Sequence, residues 1–348
     1  MRSFVVLFLA LLLCFPAAGQ NAISSADELA ASALKSLVAE SSADLQSYRF
    51  FMDMEQNIDL LSLVSNDSQR LVTRSFGFGA ANMTEKTFKL SLVALTYDRD
   101  NTSNTSITAL EEYLINDTIY MKLDGNWSYL KMPELDQAWS SQTTMEQQLS
   151  ILNQSRLTLL GAETVENRDC YKVLAEMNLG SMVDQLSGEA PSLLPSLGIN
   201  YSEMYSNSSL TAIYWIDKES HNLKKADVLQ EFVINPTSLG LSAEEADDME
   251  MRITSKVSVT FQGYNEALMI SLPVEAKGAV DILAGFMAGG EATPVALAGN
   301  ESAIKEDAEN ISASMPVQIQ DDSNAVGQMD QFENRTENQT STENGIQA

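Results

Sequence analysis

Residues 109–132, A-L-E-E-Y-L-I-N-D-T-I-Y-M-K-L-D-G-N-W-S-Y-L-K-M, constrain the fold more than any other stretch of the chain. Asn116-Asp117 and Asp124-Gly125-Asn126 are residue types that accept the positive φ of tight hairpin turns. Between them Ile119, Met121 and Leu123 alternate with Tyr120 and Lys122, the period of a strand with one apolar face. The stretch predicts a three-stranded antiparallel meander. Its apolar face needs a cover, either the chain's own helices alone or a bound apolar ligand as well.

The period of two recurs on both sides of the meander. Tyr48, Phe50, Met52 and Met54 alternate along a first strand, a second is expected around 70–79, and Phe88, Leu90, Leu92 and Ala94 mark a third. Residues 98–106 read as a loop. Further strands are expected over 156–165 and 169–177, turning at Glu166-Asn167-Arg168, and over 211–217 and 222–234, turning at 218–221. In 251–262, Met251, Ile253, Val257, Val259 and Phe261 face one way. Leu268, Ile270 and Leu272 predict a closing edge strand, stopped by Pro273.

Helical spacing appears in four places. Leu29, Ala33, Leu34, Leu37 and Val38 form a stripe behind a capping box of Ser25 and Glu28. Trp139, Met145, Leu149 and Leu152 predict a covering helix over 135–154. Leu179, Met182, Val183 and Leu186 outline a short amphipathic helix. Residues 190–207, with two prolines, one glycine and many apolar side chains, predict an irregular cover and a candidate lid.

Residues 1–19 read as a secretory signal peptide: Arg2, an apolar run over 4–15 too short to span a bilayer, then Ala17-Ala18-Gly19 before Gln20. Cys14 follows Leu13 rather than a small residue, so it is not read as a lipid-bearing cysteine. With the signal removed, Cys170 is the only cysteine, and stability must come from the core rather than a disulfide. From 285 to 348 the sequence turns to Gly, Ala, Glu, Asn, Gln and Thr. That composition predicts a disordered tail and leaves 20–284 as the folded domain, with no transmembrane segment after signal cleavage. The expected location is extracellular or at the cell surface. The formal charge of −27 argues against nucleic acid and anionic membranes as electrostatic partners.

Asn-x-Ser/Thr sequons occur at Asn66, Asn82, Asn101, Asn104, Asn116, Asn126, Asn153, Asn200, Asn207, Asn300, Asn310, Asn334 and Asn338, against about four expected by chance. Several fall in expected turns, where a glycan is tolerated, and the excess reads as surface glycosylation.

Chemistry is harder to find. His221, the sole histidine, lies in an expected turn among charges with no nucleophile nearby. There is no G-x-S-x-G elbow, phosphate-binding loop, dinucleotide fingerprint or zinc spacing. The acidic run 244–250 lacks the spaced ligands and central Gly of an EF-hand. Cys170 reads as a small core hydrophobe. No catalytic residue, metal or cofactor is expected. Sixteen methionines, among them Met52, Met54, Met121, Met177, Met182, Met204, Met251 and Met269, are either core filler or the lining of an adaptable apolar cavity.

The order of these elements, with Tyr120…Gly125-Asn126-Trp127, the Gly161…Cys170-Tyr171 hairpin, Trp215-Ile216-Asp217-Lys218 and the Asn265…Pro273 ending, resembles the LolA/LppX-like lipoprotein-carrier superfamily over roughly 26–273. The resemblance implies an α+β fold: a curved antiparallel half-barrel whose concave face is covered by helices. It also implies a secreted or cell-surface carrier for a lipid or lipid-modified protein, loaded by an unidentified membrane partner, and no catalysis. Met121, Trp127, Trp139, Leu194, Trp215 and Val257 are the expected lining positions. The alternative is a structural or adhesive surface glycoprotein with a filled core and no ligand.

Overall fold

The computed structural model describes residues 26–62, 68–103, 105–131, 139, 143–178, 208–234 and 249–282, all within one compact unit, Met1–Ile304. Among the described residues, the helices α1 (Ala26–Ala43) and α2 (Thr144–Gln154) accompany twelve strands. These are β1 (Ser47–Ser62), β2 (Ser68–Asn82), β3 (Thr87–Asp98), β4 (Ser106–Ile115), β5 (Thr118–Leu123), β6 (Asn126–Lys131), β7 (Arg156–Val165), β8 (Arg168–Asn178), β9 (Ser209–Asp217), β10 (Leu223–Ile234), β11 (Met249–Gln262) and β12 (Val280–Asp281). The strands form one open sheet in the order β12-β6-β5-β4-β3-β2-β1-β11-β10-β9-β8-β7. Every neighbouring pair is antiparallel except β12 with β6. This is the α+β half-barrel class expected from the sequence.

The meander forms because its turns are locally encoded. Asn116 (φ 56°), Asp124 (φ 48°) and Gly125 (φ 87°) take the left-handed conformations that the two tight turns require. Glu166 and Asn167 do the same between β7 and β8, and His221 between β9 and β10. Strict alternation then sorts each strand. Tyr48, Phe50, Met52, Met54 and Ile58 of β1 and Val259 and Phe261 of β11 are buried on one face, which we call inner. The main core lies between that face and the helices. The outer face holds a separate small cluster of Cys170, Ile213 and Trp215.

Both helices are tied down by polar bonds. The Tyr48 hydroxyl accepts the Met145 amide at 3.1 Å, and the Tyr214 hydroxyl donates to the Gln148 carbonyl at 3.3 Å and Oε1 at 3.2 Å. The Ser41 hydroxyl of α1 reaches the His221 carbonyl at 3.0 Å. Helix α2 has no basic residue in its own last turn. Lys35 of α1 supplies the missing cation, donating to the Asn153 and Ser155 carbonyls at 2.9 and 2.7 Å, where the negative end of the helix dipole favours it.

One strand expectation is wrong. Leu268, Ile270 and Leu272 form no strand; the chain there is irregular and leads into a 3-10 turn, η1 (Val274–Gly278). The sheet order gives the reason. Strand β11 is flanked on both sides by β1 and β10, so the chain must leave it and cross to the distant β6 edge before it can pair again. Asn82 Nδ2 holds this crossing through the Leu268 carbonyl at 2.9 Å, and an Arg49–Glu266 ion pair holds its start. Pairing resumes only at Val280–Asp281, beside Ser128 and Tyr129. The expected helix over 179–186, the lid over 190–207, Ser25 of the capping box and the tail all lie outside the described residues.

Candidate binding crevice

Cross-strand register assembles the site row by row. Phe50, Gly79, Leu90, Glu112 and Met121 stand opposite one another across β1 to β5 on the inner face. Gly79 is required here. A Cβ on it would fall into the Phe50 ring and 2.7 Å from the Lys89 carbonyl. The space it leaves lets Phe50 stack on Phe88, ring centroids 5.9 Å apart and 17° from parallel. Above these rings lies the first turn of α2. Between them is a crevice of ≈ 20 Å³ lined by Phe50, Met52, Phe88, Leu90, Glu112, Thr144 and Gln147, space for about one or two waters.

Glu112 is the unusual member. It retains some accessible surface, yet burial pushes its carboxyl pKa up from 4.5 to about 7. Lining the crevice reconciles the two: the carboxyl looks into a narrow space of mixed apolar and neutral polar lining rather than bulk water. Among the described residues no cation or hydrogen-bond donor meets it. The α2 dipole favours an anion near its first turn by up to about 1 kcal/mol, and desolvation outweighs it.

Helix α2 is an unusual cover. Met145, Gln147, Gln148, Leu149, Ser150, Ile151 and Leu152 are all buried, so the helix is enclosed on nearly every side. Three of these side chains are polar. Each buried amide or hydroxyl must find a partner inside, as Gln148 does on Tyr214 and Ser150 on Gln154.

A second inner-face row is polar throughout. Ser106, Thr96, Thr73, Gln56, Ser255 and Gln230 stand side by side on β4, β3, β2, β1, β11 and β10. Thr73 bonds Thr96 at 3.0 Å and Gln56 bonds Ser255 at 3.1 Å. Gln56, Thr73, Ser255 and Gln230 are buried. This ladder bounds the apolar rows of Phe50, Met52 and Met54.

The sequence-predicted lining residues divide. Met121 pairs with Glu112; Trp139 belongs to the main core, and Met121 and Val257, partly buried, pack against it. Trp127 and Trp215 do not share that face. Trp127 packs on Tyr113 at 5.9 Å on the outer side, where Lys122 bonds Glu111 at 3.1 Å. Trp215 is clasped between Lys172 and Lys225, whose ammonium groups lie 5.1 and 4.8 Å from its ring centroid. Leu194 lies outside the described residues. Of the five that are described, none is among the residues that line the crevice. The residues that do were legible in part: Glu112 shares the parity of Leu110 and Leu114, so period two alone sends it inward.

Of the sequons, Asn101, Asn116, Asn126 and Asn153 are exposed, whereas the Asn82 amide is engaged by Leu268 and Glu85. Asn66, Asn104, Asn200, Asn207, Asn300, Asn310, Asn334 and Asn338 lie outside the described residues. Cys170 is buried with a free thiol. Among the described residues no cluster of His, Cys, Asp and Glu could hold a metal ion, and no helix is long and apolar enough to cross a membrane.

Solved structures similar to this chain include the lipoprotein LppX of Mycobacterium tuberculosis, 14% identical, covering 70% of this chain and 100% of that one at a TM-score of 0.33. LprF of Mycobacterium bovis is 13% identical over 72% and 99%, at 0.35. An outer-membrane lipoprotein-sorting protein domain from Vibrio parahaemolyticus is 14% identical over 69% and 95%, at 0.21. No curated protein matches the chain significantly. Residues 30–281, from within α1 to the last residue of β12, match a single sequence family, and the chain belongs to it: the family of unknown function DUF6612.

Proposed function

We propose that this protein is an exported, non-catalytic carrier that holds an amphiphile against the inner face of its sheet. One observation carries the reading: α2 covers the inner face with Gln147, Gln148 and Ser150 buried among its apolar side chains, beside a narrow crevice. A cover held by two tyrosine hydroxyls, a lysine and a few amides can be displaced by a ligand that buries more apolar surface. Each acyl CH₂ taken from water contributes about 0.8 kcal/mol, so a chain of ten or so carbons offsets the few net hydrogen bonds lost when its carbons take the place that Met145, Leu149, Ile151 and Leu152 hold in the core. The cargo would be a lipid or a lipid-modified protein. Delivery and loading take place outside the cell or at its surface, with glycans on the exposed sequons and a membrane partner at the loading step.

Protein purified without detergent and measured by native mass spectrometry is expected to carry a lipid-sized adduct. A fluorescent fatty acid or alkyl probe is expected to bind and to raise hydrogen exchange in α2 while leaving β1 and β11 protected. Adduct-free protein that also ignores such probes would overturn the carrier reading. The small crevice favours a second reading in that event, a structural or adhesive surface glycoprotein with a filled core.

A further inference from the structure

We propose that the crevice selects amphiphiles by their head group, and that Glu112 is the acceptor for a cationic, ammonium-type head. This rests on the carrier reading above and names its ligand class. The lining offers four apolar side chains, Phe50, Met52, Phe88 and Leu90, two neutral polar ones, Thr144 and Gln147, and a single charge, Glu112. Among the described residues no lysine or arginine contributes to it, so a carboxylate or phosphate head would meet an acid instead of a counter-ion.

The charged groups on the elements packed around Glu112 point the same way. On α2 the nearest charge is another acid, Glu146, whose carboxyl burial also raises. Lys89 on β3 lies over the Tyr113 ring at 5.2 Å, and Lys122 on β5 bonds Glu111. Both cations therefore serve the outer face. Lys35 is spent at the opposite end of α2. A desolvated carboxyl left without a partner is costly, and a ligand ammonium supplies both the cation and the donors it lacks. The alkyl chain would follow the Phe50 and Met52 rows, taking space that α2 vacates. The excess negative charge of the whole chain, −27, attracts cationic ligands in the same sense.

Isothermal titration with dodecylammonium, dodecanol and dodecanoate, each below its micelle concentration, tests this. Wild-type protein at pH 7 is expected to bind dodecylammonium about tenfold or more tightly than the other two, as a charge-assisted contact implies. Binding should release a fraction of a proton, read from the dependence of the heat on buffer ionisation, because burial raises the Glu112 carboxyl pKa and a bound cation lowers it again. Glu112→Gln is expected to abolish both the preference and the proton release while dodecanol binding persists. The proton readout needs no variant, so it decides even if Glu112→Gln folds poorly. Equal binding of all three probes without proton release overturns the head-group assignment and leaves the carrier reading standing. Binding of none of them overturns both.

Discussion

At the scale of single residues, Glu112 and Gly79 make opposite demands. Glu112 places a titratable group in apolar surroundings, and its raised pKa fixes the sign of a pH effect. An acid whose native pKa lies above its unfolded value binds its proton more tightly when folded. Its contribution is full below about pH 4.5 and is lost as pH rises through about 7. The whole span is worth at most on the order of 3 kcal/mol, less because the side chain keeps some accessible surface. Relative to wild type, Glu112→Gln should therefore gain stability between pH 5 and pH 8, by about 1–3 kcal/mol in urea unfolding. A difference that does not change with pH would mean that the carboxyl is solvated.

Gly79→Ala acts on the same crevice from below. The new methyl drives the Phe50 ring off Phe88 and into the space between sheet and α2. Overpacking of this kind costs about 1–3 kcal/mol, and here it should also weaken amphiphile binding. Phe50→Leu in the same chain should recover part of the stability. Full stability in the single variant would place Phe50 elsewhere. The sequence shows that Gly79 sits in a strand, but not what fills the place of its side chain, because that depends on which residue of β1 comes opposite.

Among the elements, the clearest sequence signals were the local ones. The turns at Asn116, Asp124-Gly125 and Glu166-Asn167 declare themselves by residue type, and β7 begins and ends where periodicity places it, at Arg156–Val165. Non-local features stayed hidden. The polar row from Ser106 to Gln230 joins six strands drawn from widely separated parts of the chain, so no window of sequence displays it. Trp215 misled for a related reason: Ile213, Tyr214, Trp215 and Ile216 are apolar on both faces, and parity cannot say which side is the core. The alternation of Leu268, Ile270 and Leu272 is real in the sequence, but no open edge lies beside β11 to receive it.

The same local-versus-tertiary distinction governs α2. With polar residues at so many buried positions, its helicity depends on Tyr48, Tyr214 and Lys35. Tyr214→Phe should cost about 1–2 kcal/mol by leaving the Gln148 acceptors unpaired, and Lys35→Met about 1 kcal/mol by uncapping the helix end. In hydrogen exchange both variants should lose protection at Ile151 and Leu152 before β1 or β9 changes. Uniform loss across the sheet would show instead that α2 is an integral part of the core.

For the whole molecule, the question is where the cooperative unit stops. Strand β12 is only two residues long, yet it covers one of the two sheet edges: Val280 and Asp281 pair with Ser128 and Tyr129, and Ala276 of η1 is buried beside them. An uncovered edge strand exposes a row of unpaired amides and carbonyls and invites association with another chain. The family match ends at the same point, residue 281. Two truncations therefore have opposite expected outcomes. A chain ending after Ala284 keeps η1 and β12, and it should melt within about 2 °C of the full-length protein with an unchanged alkyl-probe titration. A chain ending after Leu272 loses both, uncovers β6 along the meander that positions Glu112, and should melt lower and self-associate at micromolar concentration. The meander also forms one wall of the crevice, so probe binding should weaken in the shorter chain. Equal melting of the two truncated proteins would refute a stabilising role for this edge and place the end of the cooperative unit before η1.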